Sequence, residues 1–169
     1  MAIIKGIKEL NAGLLNQRKQ RNATANTINV MAAMAQISTS RYIQSDYNHK
    51  ASDVRIALTR ASLTAPRAIL SASAKRFPLM YFDAEVSATG VTATIKRGKP
   101  TNRKGAFIQT HRGKRRVFKR TSNLRYPIKR LTGPSIGQLM RGKENLSRIN
   151  RMIRQRKDGI FMKEMAKIV

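Results

Sequence analysis

The chain has no cysteine and no tryptophan in 169 residues, and only 8 carboxylates against 35 lysines and arginines. The missing cysteine excludes disulfides and thiol nucleophiles and is compatible with a reducing compartment. The shortage of acid leaves a formal net charge of +27. It is most severe between Glu85 and Glu144, where no acidic residue stands among sixteen lysines and arginines. A fold under this self-repulsion calls for an anionic partner or for neighbouring subunits that neutralise it. Large apolar residues are also scarce. Leu, Ile, Val and Phe number 38, about 22% of the chain, just above the roughly 20% below which highly charged chains stay disordered. The core is therefore expected to be thin and completed by oligomerisation or docking. The most apolar run, Val30 to Ile37, contains Gln36 and is too short to span a bilayer. The start, Met1 to Gly6, lacks the charged, apolar and cleavage regions of a signal peptide. A chain made and kept in the cytosol is expected, unless it leaves as part of something larger.

Length alone makes one domain over 1–169 the default, with a helical part over 1–56, a strand-rich basic part over 57–132 and a helical part over 134–169. Ile3, Ile7, Leu10 and Leu14 fall on one helical face, although Gly6 and Gly13 each cost about 1 kcal/mol against alanine. Arg18 to Asn22 reads as a polar joint. A second helix over 23–47 carries Ile28, Met31, Ala35 and Tyr42 as its stripe, widened by Val30, Met34 and Ile37. Ser52 is a natural N-cap for a short helical turn over 54–58. The periodicity then changes towards two, with strands expected at 57–62, 68–73, 79–83, 91–96, 106–110, 117–121 and 126–130. Ala65-Pro66, Thr89-Gly90, Gly98-Lys99-Pro100 and Arg112-Gly113 serve as turns. Gly133-Pro134-Ser135 ends the sheet and can start a helix. In the last helix Leu146, Ile149, Ile153 and Ile160 align, Phe161, Met165 and Ile168 continue the stripe, and Asp158-Gly159 marks a kink. Arg148, Arg151 and Arg154 lie off that stripe. The class is α+β: N-terminal helices, a central mostly antiparallel sheet of short strands, and a C-terminal amphipathic helix.

Catalytic constellations are sparse. His49 and His111 are far apart and have no carboxylate at ligand spacing, so no metal site is expected. Asp83 and Glu85 would share a face if both lay on one strand, the geometry of an acid–base pair, but local ion pairing is the simpler role. Gly98, Gly105 and Gly113 match neither a phosphate-binding loop nor a dinucleotide fingerprint. The reading is of a protein that is not an enzyme and carries no cofactor, membrane span or small-molecule substrate. A small nuclease working through Asp83 and Glu85 is the reading this disfavours.

What remains is ordered positive charge. Lys96, Arg97, Arg103, Lys104, Arg112, Lys114, Arg115, Arg116, Lys119 and Arg120 fall in or beside successive hairpin turns, so the loops at one sheet end are expected to form a cationic rim. Such a rim suits a phosphate backbone, with a salt slope of about −0.9 per neutralised phosphate. Phe107, Phe118 and Tyr126 are spaced for core positions, which disfavours single-strand recognition by stacking. The same charge also suits acidic neighbours in an assembly.

Gly105-Ala106-Phe107-Ile108-Gln109, then Val117-Phe118-Lys119-Arg120, then Arg125-Tyr126-Pro127-Ile128, then Gly133-Pro134-Ser135 together resemble the minor tail protein Z family of lambda-like phages, the tail-completion proteins. Met1 to Gly6, Arg60-Ala61-Ser62 ahead of Phe77-Pro78-Leu79 and the arginine-rich terminal helix are also similar, so the likeness spans most of the chain. Gly98 to Lys104 departs from the family pattern. The resemblance implies a structural virion protein that assembles, as a homo-oligomeric ring, at the head-proximal end of the tail. Its implied partners are tail-tube, tail-terminator and other neck proteins and, non-specifically, the genomic DNA whose end such proteins help to position. Its implied location is the virion, after assembly in the host cytoplasm. The alternative is a free, sequence-nonspecific nucleic-acid-binding protein of ribosomal or nucleoid type. Pro127 cannot donate to a ladder, so Tyr126–Arg130 should be an edge or strand-end segment, and an edge is where a neighbouring subunit can add a strand.

Overall fold

The computed structural model describes the backbone of residues 2–167 and the side chains of residues 16–167. The side chains of the Ile3, Ile7, Leu10 and Leu14 stripe, most of the Met1–Gly6 opening and Ile168 lie outside the described residues. The fold is α+β, with a long helix at each end and short strands between them. Among the described residues no helix is long and apolar enough to cross a membrane.

Helix α1 runs unbroken over Ala2–Asp46, where a polar joint and two helices were expected. Arginine, lysine and glutamine are good helix formers, and no glycine or proline occurs from Leu14 to Ala65, so nothing at Arg18–Asn22 stops the helix. The face it buries is also narrower than expected. Ala23, Thr27, Ala35 and Thr39 are buried, while Ile28, Met31 and Met34 are half-buried and Val30 and Ile37 are exposed. Tyr42, the last residue of the expected stripe, is buried as well, as is Ile43 beside it. Thr27 satisfies its buried hydroxyl by donating to the Ala23 carbonyl at 2.7 Å.

Eight strands follow: β1 (Ile56–Thr59), β2 (Ile69–Ala72), β3 (Glu85–Ser87), β4 (Gly90–Lys96), β5 (Lys99–Lys104), β6 (Ala106–His111), β7 (Lys114–Arg120) and β8 (Ile128–Arg130). They divide among three small sheets, ordered β1-β2, β3-β4-β5 and β6-β7-β8. The segment around Ser52 makes a 3-10 turn at Ala51–Asp53, and Ile56, expected to be helical, starts β1. Leu79–Phe82 is likewise a 3-10 turn and not a strand. Residues three apart eclipse in that geometry, so Leu79 and Phe82 enter the core together. Strand β5 falls where the sequence pattern predicts a turn and loop, because Lys-Pro-Thr-Asn-Arg-Lys has no apolar alternation. It is exposed along its whole length, an edge strand guarded by Pro100 and its lysines. Helix α2 (Ile136–Met140) is short, and α3 (Lys143–Ala166) continues through Asp158-Gly159. On α3, Ile149, Ile153, Ile160, Phe161 and Met165 are half-buried as the stripe requires, whereas Leu146 is exposed.

The contacts gather in two compact units. The first comprises Met1–Ser38, Ala57–Ser71 and Leu146–Val169. Within it Asn29 clamps the backbone of Ala61, accepting from its N–H at 2.7 Å and donating to its carbonyl at 3.0 Å. The second comprises Thr39–Ile56 and Ala72–Asn145. Its core is Leu79, Phe82, Ala84, Val91, Ala93, Ala106 and Val117, so two of the sheets share one small apolar centre.

Within the second unit Pro134 precedes α2 and Ser135 caps it. The Ser135 hydroxyl accepts from the Gln138 N–H at 3.2 Å, and the Gln138 side chain accepts from the Ser135 N–H at 3.1 Å. Ser135 is buried and Gln138 exposed, and Ser135→Ala should cost about 1 kcal/mol for the lost cap, read as a lower urea midpoint at unchanged m-value.

Candidate polyanion-binding site

Strand β7 is the spine of the site. It pairs with β6 through a two-residue turn whose Arg112 and Gly113 both have positive φ, 50° and 71°, the backbone of a tight hairpin that matches strand twist. Because that loop is so short, the basic residues after it cannot lie in a loop. Lys114, Arg115, Arg116, Lys119 and Arg120 are all strand residues of β7, and Arg103 and Lys104 belong to β5. The expected rim of cationic loops is thus mostly a cationic sheet surface, and only Arg97 and Arg112 of the ten sit in turns.

Two clefts of the second unit collect this charge. One, of about 630 Å³, is walled by Lys75, Arg76, Lys114, Arg115, Arg116 and Arg130 over Phe77, Pro78, Met80 and Tyr81. The other, of about 550 Å³, is walled by Arg76, Arg103, Lys104, Lys119, Lys129 and Arg130. Arg76 and Arg130 line both, so the two adjoin, and among the described residues no carboxylate lines either. Lys119 lies directly opposite Lys129 across β7 and β8. Like charges at that position are destabilising, and a bound anion would relieve them.

Not every basic residue named from the sequence is free for this purpose. Lys96 donates to Glu144 at 3.2 Å, and Glu144 also accepts from the Tyr42 hydroxyl at 2.6 Å. These bonds, the Tyr42 one first, hold the Glu144 carboxyl below its usual range, and Glu144 raises Lys96. Burial, and then the bond to Glu144, pushes the Tyr42 hydroxyl up. Arg97 is tied to the end of α1, its side chain donating to the Tyr47 carbonyl at 3.2 Å. Arg120 lies 5.3 Å over the Phe107 ring. Arg103, Lys104, Lys114, Arg115, Arg116 and Lys119 are brought to the clefts; Lys96, Arg97, Arg112 and Arg120 are not among their lining residues.

Lys75, Arg76, Lys129 and Arg130 were missed as site residues. Lys75-Arg76 lies outside the acid-free window, and Lys129-Arg130 belongs to a scaffold strand; basic pairs close to Phe77-Pro78 and Tyr126-Pro127 are the only local signal. The scaffold motifs fall on one sheet. Gly105 joins β5 to β6, Ala106 and Phe107 begin β6, Val117 and Phe118 lie in β7, and Arg125, Tyr126 and Pro127 lead into Ile128 of β8. Phe118 is buried as expected, but Tyr126, expected in the core, is exposed because it lies in the segment before the edge strand. Gly133 packs against Phe82, and Pro134 and Ser135 open α2. Strand β8 is an edge strand, and Pro127 stands just before its first residue, so both forms of the expected edge or strand-end placement are met.

The Asp83–Glu85 pair is not on one strand. Asp83 is left-handed, with φ of 50°, at the end of the 3-10 turn and accepts from the Asn48 amide at 2.6 Å, while Glu85 begins β3. His111 pairs across the hairpin with Lys114, and His49 is buried among aromatic rings. Among the described residues no three of His, Cys, Asp and Glu are grouped to hold a metal ion. No protein-family model matches the chain, and neither a curated protein nor a solved structure matches it.

Proposed function

We propose that the protein is a structural component of a tailed-phage virion, a tail-completion or neck protein that assembles as a ring at the head-proximal end of the tail and neutralises its charge against an anionic partner there. One observation carries the reading. The motifs that resemble the tail protein Z family occupy β6, β7 and the lead into β8, three neighbouring strands of one sheet. That sheet ends in an edge strand and walls cationic clefts. An edge offers a place for subunit addition, and the clefts offer a place for DNA or for an acidic tube or terminator protein. The purified protein should form a defined oligomer or co-assemble with tail-tube and terminator components. A monomer that ignores them would count decisively against the proposal.

The acid-free clefts favour a second reading, a free nucleic-acid binder without sequence preference. Arg115→Glu with Arg116→Glu separates the two. Lost DNA retention with normal tail assembly assigns those arginines to nucleic acid, and lost assembly with normal retention assigns them to a protein interface.

A further inference from the structure

The two adjoining clefts differ in their floors, and the difference points to a ligand. One combines its cationic walls with the rings of Phe77 and Tyr81, whose centroids are 4.9 Å apart. The other offers cations, including the opposed Lys119 and Lys129, with Asn102 and Thr132. Arg76 and Arg130 join them. A ligand that suits both must carry a repeating anion and a flat apolar ring. An acidic peptide carries a ring only where an aromatic side chain stands in it, whereas a polynucleotide supplies both at each step. Arginine's planar fork suits phosphate oxygens, and the aromatic-floored cleft, at about 630 Å³, lies within the usual range of ligand pockets. A base paired and stacked in a duplex cannot reach such a floor; an unpaired base can.

We infer that the paired clefts bind single-stranded nucleic acid, with phosphates held along Arg76, Arg130, Lys119 and Lys129 and an unpaired base seated on Phe77 and Tyr81. The inference goes beyond the virion reading and stands whether or not the protein belongs to a tail. Its test uses the full-length protein at fixed salt with four probes: a thymidine octanucleotide, an abasic octanucleotide with the same phosphates, a duplex of equal length, and an octaglutamate. The thymidine strand should bind about tenfold tighter than the abasic one, in the range of base–aromatic stacking, and tighter than the duplex or octaglutamate. Arg76→Glu with Arg130→Glu should weaken thymidine binding at least about tenfold more than Arg151→Glu with Arg154→Glu, the α3 control for lost charge. A 2-aminopurine base in the strand should be quenched by the unmutated protein, a readout that survives misfolding of the cleft variant. Equal binding of the abasic strand, or an unquenched 2-aminopurine, overturns the base seat. Tighter duplex binding overturns the single-strand preference, and octaglutamate binding equal to the thymidine strand makes the clefts a docking surface for acidic protein. Variants that lose no more affinity than the α3 control remove the site from the clefts.

Discussion

Gly133→Ala is expected to destabilise the protein by about 3 kcal/mol, the upper part of the range for overpacking a core. A β-carbon added there would lie 2.1 Å from Cε2 of Phe82, whose side chain is fully buried. The ring cannot swing away, because Phe82 is held in a 3-10 turn and packs edge-on against His49 at 5.0 Å and Tyr81 at 5.1 Å. The Gly133 N–H is also bonded to the Phe77 carbonyl at 2.9 Å, which resists displacement of the glycine backbone. Urea denaturation measures the loss. Phe82→Leu removes the far ring atoms that clash, so the double variant Gly133→Ala with Phe82→Leu should be more stable than Gly133→Ala alone, although Phe82→Leu by itself destabilises. Additive losses would show that the close approach is not the cause.

Stability should also fall as the pH drops below about 6.5, at up to about 1.4 kcal/mol per pH unit for the one proton involved. His49 is 4% exposed, packs against Phe77, Tyr81 and Phe82, and has no hydrogen-bond partner for either ring nitrogen among the described residues. Burial lowers its pKa, and Asp53 opposes that only in part. The folded protein therefore takes up the proton at lower pH than the unfolded chain. The stabilising contribution is complete above the unfolded value near 6.5, begins to fall there, and is lost once the pH has passed through the depressed folded value. Glu144, also depressed, loses its contribution only below its ordinary value of 4.5, so the shoulder between 6.5 and the carboxylate range belongs to His49. Urea midpoints from pH 8 to pH 5 should show this shoulder, and His49→Gln should flatten it. A shoulder unchanged in the variant would place the proton elsewhere.

The two predictions concern the same small region, and the aromatic cluster explains why it matters to the clefts. Phe77 and Tyr81 touch His49 on one side and line the aromatic-floored cleft on the other. The Tyr81 hydroxyl donates to Asp53 and accepts from the Lys50 N–H at 2.8 Å. The floor of the candidate site is thus anchored in the core, while its walls are exposed lysines and arginines. Core variants such as Gly133→Ala should disturb the floor, whereas Arg76→Glu acts on the walls.

Sequence by itself determined the features that depend on near neighbours. Arg112-Gly113 specified the β6–β7 hairpin, Pro127 marked the end of a strand, and Gly133-Pro134-Ser135 ended the sheet and started a helix. Local patterning misled where helix propensity or edge placement overrode it, as in the continuous α1 and the strand Lys99–Lys104. Only the tertiary structure decided which cations are brought together. Arg76 and Arg130 are 54 positions apart in the sequence, yet they line the same two clefts, and Phe77 and Tyr81 reach the β7 arginines from outside the acid-free window. No periodicity encodes that convergence. It follows from the packing of Leu79 and Phe82 into the core beneath the sheets, an arrangement set by burial of apolar surface and not by charge.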